Sequence, residues 1–173
     1  MKSFSIAVLS LAIVISTLCG CGRKERQSGK IIEREGKPDV TDVDDDDPRM
    51  LAAIAKARST VQQFIDALAR PQPSQSMFSL KAAIRDGKEV EHMWLTPVTY
   101  DGSQFSGTVN NDPCTIKTIK IGDHFTVRKE EISDWMYIDN RKLIGGYTIR
   151  LLRDMAPPEK RAEFDRTVPF TIE

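Results

Sequence analysis

Histidine and cysteine are scarce in this sequence, with two of the first and three of the second among 173 residues. A zinc centre built on His92, His124 and Cys114 would need carboxylates gathered from several strands, so neither a metal nor another cofactor is expected. The cysteines at 19, 21 and 114 are too few, and two of them too close to the N-terminus, to frame a disulfide-stapled domain. Net charge is lacking too. The 25 basic residues balance the 25 acidic ones, which leaves no global field to attract nucleic acid. The longest apolar run, residues 4–18, falls short of the ~20 residues that span a bilayer comfortably. What remains is a 40% apolar, 29% charged chain, long enough for one domain with an adequate core and some accessory segments.

The first accessory segment is N-terminal. Lys2 precedes an uncharged apolar run that ends in small residues, the pattern of a secretory signal over 1–20. Its end, LCGC at residues 18–21, resembles the bacterial lipobox, with an aliphatic residue at minus three, a small one at minus one and Cys21 as the residue that is lipidated. Cys19 departs from the Ala or Ser usual at minus two, and an uncleaved anchor or a Cys19 and Cys21 redox pair is the competing reading. Gly22 stands where an Asp would retain an enterobacterial lipoprotein at the inner membrane, so the resemblance implies an outer-membrane anchor facing the periplasm. A palmitate-bearing, triacylated cysteine buries enough methylenes, at ~0.8 kcal/mol each, to hold the chain on the membrane.

Residues 21–47 read as a flexible charged tether without apolar periodicity, basic in its first half and acidic in its second. The acidic run is not a calcium loop. Asp42, Asp44 and Asp46 fit positions 1, 3 and 5 of an EF-hand, but Asp47 and Ala53 stand where a Gly and a Glu are needed. Asp47 serves better as an N-cap with Pro48 at the first helical position. Leu51, Ile54, Val61, Ile65 and Leu68, with Phe64 beside them, give an amphipathic helix to about Ala69, where RPQP ends it. From Met77 the period becomes two. Strands separated by DGK, YDG, NNDP, a Gly-Asp turn and IDNRK continue to about Leu152, and APPEKRAEF closes with a short helix. The expected fold is α+β over 48–168: one long amphipathic helix on a strongly bent antiparallel sheet of five or six strands, which could close part-way into an SH3-like barrel.

Within that domain the polar candidates are Glu89, Glu91, His92, Asp134 and Arg150. On a strand Glu89 and Glu91 share a face and His92 takes the other, which is poor geometry for a Glu91 and His92 metal pair. If their strands are neighbours, Asp134 could orient His92 as in a general-base site, with Arg150 nearby, although Ser133 then points away from Asp134. The opposing expectation is that Asp134 accepts backbone hydrogen bonds and His92 is a satisfied core residue. His124 is expected at the surface. Cys114 follows Pro113 in a turn with nothing in the local sequence to depress its thiol. In DWMYI both strand phases are apolar, so Trp135, Tyr137 and Tyr147 form a candidate binding patch if only one face meets the helix.

GKEVEHMWL, GTVNNDP, IKIGDHFTV, EISDWMYI and GGYTIRLL, in this order over residues 77–152, resemble the bacterial family called domain of unknown function 2314, the YegJ-like proteins. The resemblance implies a small bacterial domain, in some cases carried behind a lipoprotein signal, and transfers no catalytic residue. The expected function is a non-enzymatic binding module of the cell envelope for a protein partner, an inhibitor or immunity protein being one version. A small hydrolase-like enzyme using His92, Asp134 and Arg150 is the alternative, and a purely structural envelope protein the third.

Overall fold

The computed structural model describes residues 13–15, 30–34, 37–43 and 46–173. The lipobox and Cys21 lie outside the described residues. Among the described residues nine strands and three α-helices follow one another: β1 (Ile13–Ile15), β2 (Lys30–Arg34), β3 (Lys37–Asp42), α1 (Pro48–Ala69), β4 (Gln75–Asp86), β5 (Glu89–Tyr100), β6 (Gln104–Val109), β7 (His124–Arg128), β8 (Ile132–Asp139), β9 (Lys142–Gly145), α2 (Tyr147–Met155) and α3 (Pro158–Thr167). The main sheet is antiparallel, with six strands in the order β7-β6-β5-β4-β8-β9, and β1 lies beside β5. It remains open instead of closing into a barrel. The stretch read as a tether carries a hairpin, β2 with β3, in which Ile31 pairs with Thr41 and Ile32 with Val40 in register. No described helix is long and apolar enough to cross a membrane.

α1 begins as its sequence dictates. The Asp47 carboxylate accepts from the Arg49 amide at 2.9 Å, and Pro48 occupies the first turn. The apolar stripe is rotated slightly from expectation: Met50, Ala57, Val61, Phe64 and Ile65 are buried, while Leu51 is half exposed. This face lies on one side of the sheet, where Leu80, Ala82, Met93, Leu95, Phe105, Val127, Trp135 and Tyr137 complete the main core. Phe64 is central there, with ring centroids 5.7 Å from Trp135 and 6.1 Å from Phe105.

The opposite side of the sheet is covered as well. Trp94, Met136, Ile138 and Leu143 meet Ile149 of α2 and Phe170 of the final segment, with Phe164 of α3 alongside. The expectation that residues 147–152 form a strand is therefore corrected, because they open α2. Two left-handed glycines, Gly145 (φ 72°) and Gly146 (φ 63°), turn the chain off β9. From there Tyr147, Ile149 and Leu152 reach three different apolar clusters, which a strand with two faces could not do.

Candidate functional site

An irregularity in β8 builds a polar island on this second face. Lys81 of β4 pairs with Asp134 and Ala82 with Ile132, so Ser133 is an additional residue in β8, a β-bulge. The bulge lets Ser133 and Asp134 share the side of the sheet that carries Lys81, His92 and Trp94. All four polar residues are buried. Nδ1 of His92 lies 2.8 Å from Oγ of Ser133. Lys81 sits with its Nζ 5.5 Å from the Trp94 ring centroid.

Asp134 is the most heavily engaged group. One carboxylate oxygen accepts from the amides of Trp135 (2.9 Å) and Tyr147 (3.1 Å), and the other from the amide (2.8 Å) and hydroxyl (2.7 Å) of Thr148. Gly146 occupies the N-cap of α2 without a side chain to offer, so a strand carboxylate caps the helix from outside and opposes its positive end. Burial pushes Asp134 above the ordinary carboxylate range, while the Thr148 donors and the charge of Lys81 pull it back. Burial lowers Lys81 to about 8 against the attraction of Asp134. His92 falls to about 3, through burial first and then the positive fields of Lys81, Arg58 and Arg85, so its imidazole is neutral at physiological pH.

The residues singled out from sequence take the following places. His92 and Asp134 are not hydrogen-bonded to each other, since β4 runs between their strands and each has its own partner. Ser133 bonds His92, against the expectation that alternation turns it away, because that expectation assumed a ladder without a bulge. Arg150 belongs to α2 and donates to the backbone oxygens of Gly145 (3.0 Å), Leu143 (2.6 Å) and Glu173. Glu91 is a buried loop anchor, accepting from the amides of Cys114, Thr115 and Ile116 at 2.7–3.1 Å. Glu89 opens β5 and is half-buried. His124 and Cys114 are exposed.

The aromatic patch is corrected in part. Trp135 is fully buried and donates its indole N–H to the Ala57 carbonyl at 2.9 Å, while Tyr137 is 5% exposed and stacks on Phe78 with centroids 5.0 Å apart. Both belong to the core because they lie on the face that α1 covers. Tyr147 alone reaches a surface cavity. Its ring stands edge-on to Trp135 and its hydroxyl accepts from Oγ1 of Thr60 at 3.0 Å.

That cavity is a cleft of about 490 Å³ between Gln63 of α1, the four residues of β9, Tyr147 and Arg150 of α2, and Glu173. Its floor depends on Gly145, where a Cβ would come within 2.5 Å of the Trp135 ring. The sequence offered little warning of this site. Lys81 read as an ordinary polar residue of an alternating strand, with nothing to indicate that its face would be covered. The signal for α2 was present, in a glycine pair followed by Thr148 and by apolar residues three apart at 149 and 152, but strand spacing fitted the same letters. Among the described residues, no group of three or more His, Cys, Asp or Glu side chains could hold a metal ion.

The chain is 38% identical over 118 residues to the uncharacterized protein YegJ of Escherichia coli K12, an alignment covering 68% of this chain and 76% of that protein. It is 36% identical over 80 residues to a putative ankyrin repeat protein of Neisseria meningitidis serogroup B, covering 46% of this chain and 32% of the relative. No solved structure matches. The family described as uncharacterized proteins conserved in bacteria, domain of unknown function 2314, matches residues 47–171, and the chain belongs to that family.

Proposed function

We propose that this protein is a lipid-anchored module of the bacterial cell envelope that binds a protein partner through the cleft beside β9 and performs no chemistry of its own. The cleft is the observation that carries the reading: an open cavity with an aromatic ring, two cations and a strand edge on its walls. The polar side chains with catalytic potential support it from the other direction, since Asp134 is committed to capping α2 and His92 to Ser133, and both are buried. Anchoring through Cys21 and residence at the outer membrane, facing the periplasm, are supported by the signal and lipobox pattern of residues 1–21.

A photo-crosslinking residue at Tyr147, compared with one at the exposed His124, tests the binding reading on the protein in its own membranes. A partner trapped from Tyr147 and absent from His124 is expected. Equal trapping at the two positions, or none at either, overturns it. A chain in which Cys21 is replaced by Ser should be released from the membrane fraction, and mass spectrometry of the mature N-terminus should find acyl chains on Cys21; an unmodified cysteine overturns the anchor.

A further inference from the structure

After α3 the final segment returns to the outer side of β9, where Thr171 bridges to it. Thr171 pairs in parallel with Lys142, the Leu143 amide donates to the Thr171 carbonyl at 3.0 Å, and the Thr171 amide donates to the Arg141 carbonyl at 2.7 Å. Phe170 inserts its ring into the cluster of Trp94, Met136, Ile138, Leu143 and Ile149. Two cations meet the end of the segment: Lys142 forms a 2.6 Å ion pair with the Glu173 side chain, and Arg150 donates to the Glu173 backbone oxygen. These are the elements of strand-addition recognition, with backbone bonds along an edge, one side-chain pocket and a charged stop.

The forces are unequal. The Lys142 and Glu173 side chains are both more than half exposed, so their ion pair contributes little and the burial of Phe170 is the main restraint. Pairing involves residues 141–143 only; beyond them Arg150 takes the Leu143 and Gly145 carbonyls, and Ile144, Gly145 and Tyr147 line the adjoining cleft. The segment and Arg150 together cover this edge, beside the cleft.

We infer that the β9 edge is a docking site for an extended segment of a partner protein, running parallel to β9 with an aromatic residue, one spacer, an apolar residue and an acidic residue in that order, and that residues 170–173 occupy it in the resting protein as an intramolecular surrogate. The inference rests on the binding-module reading and names the kind of partner. A closed form lowers the apparent affinity for the partner by the fraction of molecules in which the surrogate is released, so loosening the surrogate tightens binding.

The test uses the full chain and a fluorescein-labelled peptide of residues 166–173, RTVPFTIE, followed by fluorescence anisotropy. Phe170→Ala should bind the peptide at least ~10-fold more tightly than the unaltered chain, an effect lost when the peptide phenylalanine is changed to alanine. Adding Lys142→Glu should weaken binding again. A folded Phe170→Ala chain whose residue 171 amide exchanges freely yet which ignores the peptide overturns the inference. Should that variant not fold, Thr171→Pro removes the N–H given to Arg141 at an exposed position, and the same two results decide. If the peptide fails while the Tyr147 crosslink still traps a partner, the strand-like occupant is refuted and the binding module stands; if both fail, the module falls with it.

Discussion

Asp134 decides more than any other single side chain. Four donors converge on it, three of them backbone amides, and each would be stranded in a dry interior if the carboxylate were removed. Asp134→Ala should cost about 2–4 kcal/mol, combining a lost cap with unsatisfied buried donors, and chemical denaturation should show it as a lowered midpoint with an unchanged slope. His92 predicts a pH dependence. Its folded pKa of about 3 lies below the ordinary imidazole value of 6.5, so between those values the unfolded chain takes up a proton that the native chain refuses. Stability should therefore fall on acidification from pH 6.5 towards 3, by at most ~1.4 kcal/mol per pH unit from this group, and remain flat with respect to it above 6.5. His92→Asn should flatten that part of the curve. Lys81, lowered to about 8 from 10.5, has the matching sign at the alkaline end, with its contribution rising through that interval.

At the scale of elements, the passage from β9 to α2 is the most demanding turn. Gly145 combines a left-handed backbone with direct contact between its missing Cβ and Trp135, so Gly145→Ala should lose about 3 kcal/mol, while Gly87→Ala, with open space around its Cβ, should lose only the left-handed cost of about 1–2 kcal/mol; the two melting curves compare them directly. The same turn marks where sequence reading ran out. α1, its cap at Asp47 and the alternating strands were legible because periodicity and capping are local signals, expressed within one turn or one pleat. Asp134 and Thr148 lie fourteen positions apart, so the cap of α2 had no local signature. The bulge at Ser133 hid the polar island in a similar way, since an additional residue in β8 is visible only against its neighbour β4. The candidate patch failed in part for a third reason: the apolar double phase of DWMYI was read correctly, but it reports two covered faces instead of one exposed face.

For the whole molecule, one open sheet is enclosed from two sides by a single chain, with α1 on one face and α2, α3 and the last residues on the other. At one margin of the sheet, β9, four residues long, has a cleft beside it. The enclosure also binds distant segments into one cooperative unit. A helix of nine residues has no persistence in water by itself and would fray within microseconds. Tied at its first amides to a carboxylate of β8, one strand in from the sheet edge, α2 opens only when β8 does. Hydrogen exchange at Tyr147 and Thr148 should accordingly be as slow as in the central strands, protection that a surface helix of such brevity would otherwise never acquire.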